Sequence, residues 1–326
     1  MRTPSSSSIP DRLVVASRGS RLALTQTNLV ADLLRRAHPG LEVEILEVST
    51  KGDRDQRPFA DIGGKGLFTS EVERAVIEGR ADIAVHSAKD LTAELGSGCS
   101  IIGIPSRASR SDVVVGGTGD TAEERLKGLP PGAVIGTSSM RRRALLTETR
   151  RDLEPVEFRG NLDTRLEKVA KGVVSAAILA AAGLERLGAA LDPSMYLDPE
   201  WWVPAPGQGA LAIEGLTERT ELRDLVRSIA DPATSAEVAT ERAFGARLEG
   251  GCTVPLGCSA VVTADRITVT SYLGSPNGGA IRERLSGNVG DATDLGIELA
   301  EAVLLAGGEA ILIEIEARPS LAVEEP

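Results

Sequence analysis

The chain alternates short apolar runs with amphipathic stretches through most of its first two thirds. LVVASRGS at 13–20 is an apolar run that opens into a polar loop. The next stretch, SRLALTQTNLVADLLRR, sets Leu22, Leu29, Val30, Leu33 and Leu34 on one helical face, the spacing of an amphipathic helix. Ser20 offers an N-cap and His38-Pro39-Gly40 a stop. LEVEILEV at 41–48 predicts a strand, EVERAVIEG at 71–79 a helix ending at Gly79, and ADIAVHSAKD at 81–90 a buried strand with a polar end. This order predicts βαβ units and a largely parallel sheet.

The pattern then recurs. SDVVVGG at 111–117 is a strand, and GAVIGTSSMRRRALLTETR at 132–150 is a strand, a Thr-Ser-Ser turn and a helix. VEFRGN leads into a helix from Asn161 to Ala170, and SAAILAAAGLERLG at 175–188 is a further strand–helix pair. WWVPAPGQGALAIE at 201–214, rich in Pro and Gly, reads as a crossing between domains. After Asp231-Pro232 the character changes. A helix from Ser235 to Glu249 precedes DRITVTSYLGS and AIRERLSG, two antiparallel strands with NGG as the turn between them. A helix at 291–306 and a strand AILIEIEA complete a smaller α+β domain.

Length and composition narrow this picture. At 326 residues the chain suits two or three domains. Aromatic residues are only 2%, so Leu, Val, Ile and Ala must form the cores. No apolar run approaches the ~20 residues of a membrane helix. MRTPSSSSIP lacks the apolar segment of a secretory signal and reads as a disordered tail over 1–10. Three cysteines and two histidines show neither a disulfide framework nor zinc spacing. The expectation is a cytoplasmic protein with no metal. The net charge of −11 disfavours nucleic acid.

Candidate chemistry collects at the strand ends, where parallel α/β sheets bind ligands. The first strand offers Ser17, Arg18 and Ser20. The 81–90 stretch offers His86, Ser87, Lys89 and Asp90. The next unit offers Thr137, Ser138, Ser139, Arg141 and Arg142, followed by Arg159 and Arg165. Cations and hydroxyls at helix starts suit carboxylates or phosphates. A single arginine of the 141–143 run is most simply a solvated helix face; the whole set reads as an anion site. Asp90 is the exception among these cations, either an ion-pair partner of Lys89 or a carboxylate aimed at developing positive charge. His86 reads as structural. GGKGLFTSE at 63–71 lacks the order of a nucleotide P-loop and reads as a mobile loop bearing Lys65 and Phe68. Cys99 and Cys258 read as core residues. Cys252, in the glycine-flanked LEGGCTVPLG, is a candidate nucleophile.

Together ASRGSRLAL, GGKGLF, ADIAVHSAKD, IGTSSMRRR, FRGNLDTRL, PAPGQGA and ERAFGARLEGGCTVPLG resemble the porphobilinogen deaminase (hydroxymethylbilane synthase) family in order and spacing, from about Leu13 into the C-terminal domain. The resemblance implies an α/β fold, with two domains like type II periplasmic binding proteins around a cleft plus a small C-terminal α+β domain. Domain 1 would span 11–108 and 207–229, domain 2 109–206, and domain 3 233–326. It implies a transferase that joins four porphobilinogen molecules head to tail, with loss of ammonia, onto a dipyrromethane cofactor. Cys252 would carry that cofactor as a thioether, and hydrolysis would release hydroxymethylbilane.

Asp90 matches the catalytic carboxylate. Arg18, Lys89, Arg141, Arg142, Arg159, Arg165 and Arg186 match carboxylate-holding positions, and Ser20, Thr137, Ser138 and Ser139 would add hydrogen bonds. Gln26, Lys65, Phe68 and Gln208 match positions near the cleft or its loop. A monomer, and uroporphyrinogen-III synthase as a downstream partner, are also implied. The family commonly has an apolar residue and then proline after its HSxKD motif; here Leu91 is followed by Thr92. The competing reading is a non-catalytic anion-binding protein of the periplasmic type, opposed by the lack of an export signal and by the presence of both Asp90 and Cys252.

Overall fold

A computed structural model describes residues 10–50, Gly66, 69–248, 254–275 and 277–317. In chain order the elements are β1 (Arg12–Arg18), α1 (Arg21–Ala37), β2 (Glu42–Val48), α2 (Ser70–Ile77), β3 (Ile83–Ser87), β4 (Cys99–Gly103), β5 (Asp112–Gly116) and α3 (Ala122–Lys127). Then follow β6 (Val134–Gly136), α4 (Met140–Thr149), β7 (Glu154–Val156), α5 (Leu162–Ala170), β8 (Ala176–Ala180), α6 (Ala181–Arg186), β9 (Leu211–Leu216) and α7 (Thr220–Arg227). The last part holds α8 (Pro232–Arg247), β10 (Leu256–Thr263), β11 (Arg266–Gly274), β12 (Ala280–Ile281), β13 (Arg284–Asn288), α9 (Ala292–Val303) and α10 (Glu309–Ala317).

Local signals set most of these bounds. Ser20 Oγ accepts the Ala23 N–H at 3.3 Å and starts α1, which stops at His38 before Gly40 with its φ of 98°. α2 ends just before Gly79, whose φ of 68° suits glycine. The Asn161 side chain caps α5 through the Thr164 N–H at 2.9 Å.

The described residues belong to two compact units. One draws on Met1–Asp55, Gly66–Arg107 and Ala210–Ser235, the other on Ala108–Gly209 and Ala236–Pro326. The first unit has a sheet of order β2-β1-β3-β9-β4. β1 runs parallel to β2 and β3, but β9 runs antiparallel to β3 and β4. The expected parallel sheet is therefore mixed. The chain reaches β9 only after passing through 108–209, so no helical crossover fixes its direction. Leu13, Val15, Ile83, Val85 and Ile213 pack with α1 and α7 on one face, and Ala16 and Ala84 pack with Val72, Ala75 and Val76 of α2 on the other.

The second unit holds a mixed sheet, β5-β8-β6-β7, in which β6 is parallel to β7 and β8 while β5 is antiparallel to β8. It also holds an antiparallel sheet in which β11 pairs with β10, β12 and β13. That second sheet has its own core with Phe244, Leu295 and Leu299, yet Tyr272 packs into the cluster of Ile135, Leu145 and Trp202. The expected final strand AILIEIEA is the helix α10. Ile311 and Leu312, adjacent in sequence, both pack toward the core while Ile313 is exposed. Strict alternation is absent, and Leu, Ile, Glu and Ala support a helix.

Candidate active site

β1 and β3 are parallel neighbours, with Ala16 opposite Ala84, so their C-terminal ends emerge on one edge of the sheet. A cavity of about 60 Å³ lies there, within the first unit. Arg18, Ser20, Gln26, Thr69, His86, Ser87 and Asp90 line it. Arg18 ends β1 and Ser20 caps α1, so a guanidinium and a helix N-terminus share the site. Gln26 is buried and its Nε2 donates to Ser87 Oγ at 2.9 Å. Thr69 is buried as well, and its Oγ1 has no hydrogen-bond partner.

Asp90 closes a single 3-10 turn, Ala88–Asp90, that follows β3 directly. The turn is anchored by the Ala88 N–H, which donates to Ala210 O at 3.0 Å, and by the buried Leu91. Thr92 stands where the family favours proline, and its hydroxyl donates to the Glu94 carbonyl. A side-chain bond thus shapes the backbone that a ring would otherwise restrict. Lys89 and Asp90 both face solvent.

The second unit corrects several expectations. Arg141 and Arg142 are buried, not open to solvent. Each directs a guanidinium nitrogen to Asp112 at 2.7 Å, and each gives another N–H to a backbone carbonyl, Val203 O at 2.9 Å and Ile178 O at 3.0 Å. Gln208 Nε2 reaches Asp112 Oδ1 at 2.8 Å, and Trp202 Nε1 reaches Oδ2 at 2.9 Å. Burial alone would raise the Asp112 pKa. The two arginines override it and hold that carboxyl well below the usual carboxylate range. Arg141, Arg142 and Gln208 therefore organise a buried carboxylate, while the Nε of each arginine is buried without a hydrogen-bond partner. With two cations and one anion, the Arg141–Asp112–Arg142 cluster still leaves one net positive charge behind the first turn of α4.

The Thr137-Ser138-Ser139 hydroxyls also serve the turn itself. Ser138 Oγ donates to Phe158 O and accepts the Phe158 N–H, both at 3.0 Å. Thr137 Oγ1 accepts from Ser139 N at 3.3 Å, and Ser139 caps α4. Gly136 is required beneath: a Cβ there would lie 2.6 Å from the Phe158 ring.

Arg159 follows Phe158, and its Nε donates to Glu157 at 3.3 Å. Arg165 lies in the first turn of α5, and Arg186 in the last turn of α6. Burial lowers the Arg186 pKa to about 10, and its Nη2 donates to Gly209 O at 2.7 Å. Lys65, Phe68 and Cys252 lie outside the described residues, as does most of the N-terminal tail.

The sequence reading missed Asp112, Glu214 and Thr69. For the first two a signal existed, one acidic residue inside an otherwise apolar strand, DVVVG and LAIEGL. Among the described residues no helix is long and apolar enough to cross a membrane.

Comparison with known proteins adds two family models, "Porphobilinogen deaminase, dipyromethane cofactor binding domain" over residues 13–224 and "Porphobilinogen deaminase, C-terminal domain" over 235–305. A porphobilinogen deaminase of Maridesulfovibrio salexigens is 43% identical over 303 residues, covering 92% of this chain and 97% of that protein. One from Roseiflexus castenholzii is 42% identical, covering 92% and 98%. One from Geobacter sulfurreducens is 41% identical, covering 94% and 96%. Among solved structures, the methionine binding protein MetQ superposes with a TM-score of 0.43 at 12% identity, covering 68% of this chain and 90% of that one.

Proposed function

The chain belongs to the porphobilinogen deaminase family, and we propose that it performs the family's reaction with Asp90 as the catalytic carboxylate and Cys252 as the cofactor anchor. The reaction joins four porphobilinogen molecules head to tail with loss of ammonia, and water then releases hydroxymethylbilane. The observation that carries this reading is the cavity where Asp90 meets Arg18, Ser20 and the N-terminus of α1. Each pyrrole bears an acetate and a propionate, so its recognition needs cations, hydroxyls and helix N-termini. Its ring N–H needs an acceptor, and an exposed carboxylate supplies one.

The site's donor chemistry fits a dipyrromethane, and the buried Thr69 Oγ1 supplies an unused hydroxyl to the same cavity. When bound, that group supplies a nucleophilic terminal pyrrole carbon. Arg18, Ser20 and Lys89 in the first unit, and Arg159, Arg165 and Arg186 in the second, take ring carboxylates. The Arg141–Asp112–Arg142 cluster acts from behind the turn that ends at Ser139, by its net charge and by fixing the start of α4. Asp90 accepts from pyrrole N–H groups and lowers the energy of the cation formed as ammonia leaves. A monomer in the cytoplasm that hands its product to uroporphyrinogen-III synthase is the setting we infer from the family.

The test is the intact mass of the denatured protein beside that of Cys252→Ala. The expected result is an added mass equal to two linked pyrrole units, absent from the variant. A bare polypeptide mass that persists after incubation with porphobilinogen would overturn the reading.

A further inference from the structure

Behind the cavity, one face of the first sheet carries ionisable groups that the reaction above does not use. His86 on β3 pairs across with Ala212, and Glu214 on β9 pairs with Ala84. The two are diagonal neighbours, and period-two alternation puts both on the same face. α2 covers that face and brings Glu73 to it, while β4 brings Cys99.

Glu214 is fully buried and the His86 side chain is 4% exposed. A buried carboxylate is costly unless donors surround it. Neither Glu214 oxygen accepts, and His86 Nε2 does not make, a well-aligned hydrogen bond, although Nε2 lies 2.9 Å from one of those oxygens. Burial, and then Glu214, push the Glu73 carboxyl up; the same two causes push the Cys99 thiol up to about 12. Both are driven toward their protonated forms, and His86 faces Glu214 beside them. An apolar residue at 214 would suit the surrounding core better, so stability does not account for this acid.

A carboxylate can only accept hydrogen bonds. A ring lone pair 2.9 Å from a carboxylate oxygen would be repelled, so Nε2 is the protonated nitrogen of the neutral ring and Nδ1 carries the lone pair. The same ring lines the cavity that holds Asp90. An imidazole with one nitrogen against a buried carboxylate, in a ring that lines the cavity, is placed as an oriented base. The charged and titratable groups facing it are Glu214 from β9, Glu73 from α2, Arg18 from β1 and Asp90 from the turn after β3, with Cys99 of β4 beside Glu214.

Each condensation exchanges a pyrrole C–H bond for a C–C bond and breaks a C–N bond. One proton must travel from the reacting carbon to the departing nitrogen. Resting on the deaminase reading, we propose that His86, positioned by Glu214, carries that proton. Nδ1 accepts it as the C–C bond forms, and the C–H electron pair stays in the pyrrole ring. The proton then passes to the released ammonia, which leaves as ammonium.

The chain has two histidines, so imidazole nitrogen NMR shows two rings, and His86→Asn assigns them. The expected wild-type result is a neutral His86 ring protonated on Nε2. In Glu214→Gln the single tautomer gives way to a mixture of Nε2–H and Nδ1–H rings, because an amide can accept or donate, and kcat falls about tenfold with KM nearly unchanged. In His86→Asn kcat falls about 10²–10⁴-fold. A neutral ring protonated on Nδ1, a tautomer unmoved by Glu214→Gln, or a wild-type kcat in His86→Asn would each overturn the proposal. Should either variant misfold, the wild-type ring measurement alone decides. Loss of the deaminase reading looks different: the wild-type protein then forms neither adduct nor product, whatever the NMR shows.

Discussion

Replacing Asp112 by Asn removes one charge and leaves two buried guanidiniums facing each other. The carboxylate accepts four donors, Arg142 and Gln208 on Oδ1, Arg141 and Trp202 on Oδ2. Four is the lone-pair capacity of a carboxylate. An Asn carbonyl accepts two, and its NH₂ points donors at donors. Breaking a buried ion pair costs about 3–5 kcal/mol. At about 2–4 °C per kcal/mol for a unit of this size, the melting temperature falls by about 6–20 °C. The pH dependence carries a sign. Asp112 is depressed in the folded state, so its contribution is present above the unfolded value of ~3.9 and lost only as pH falls through the lower folded value. Thermal unfolding of wild type and Asp112→Asn, followed by circular dichroism, thus differs by a constant amount from about pH 8 to pH 5. Adding Arg142→Met to Asp112→Asn removes the uncompensated extra cation and recovers at least about 1 kcal/mol. A single-variant loss below about 1 kcal/mol, or a gap that closes near pH 5, would refute the account of a saturated buried carboxylate.

Asp90→Asn leaves an exposed turn intact, so its melting temperature matches wild type while steady-state kcat falls by about 10²–10³-fold. Gly136→Ala forces a methyl against the Phe158 ring at 2.6 Å. Urea unfolding should show a loss of about 1–3 kcal/mol, and no measurable loss would mean that the ring moves aside freely.

The strand–helix order, the cap at Ser20, the start of α5 at Asn161 and the antiparallel pairing of β11 with the strands after NGG, β12 and β13, were legible because local spacing determines them. The direction of β9 was not, since it depends on a chain excursion of about a hundred residues that carries no local signal. AILIEIEA misled because β-branched residues raise strand propensity while only the packing of Ile311 and Leu312 reveals the helical face. The cavity residues Arg18, Ser20 and Asp90 were legible because strand ends and helix starts mark where an α/β sheet binds ligands.

The arginine run shows the limit of that logic. Arg141, Arg142 and Arg143 are consecutive, yet the first two turn inward to Asp112 and the third meets Glu157. A sequence displays cations, while function depends on which of them keep charge to offer after their partners are counted. The partners, Asp112 and Glu157, stand 29 and 14 residues from Arg141 and Arg143, so only the fold brings them in. The same counting applies to Glu214, an acid in an apolar strand. Buried polar clusters lie behind the start of α4, at Asp112, and behind the His86 wall of the cavity, at Glu214. Each gives up stability that an apolar core would have kept. Each fixes the direction of a side chain or turn, the preorganisation that the proposed carboxylate recognition and proton transfer would require.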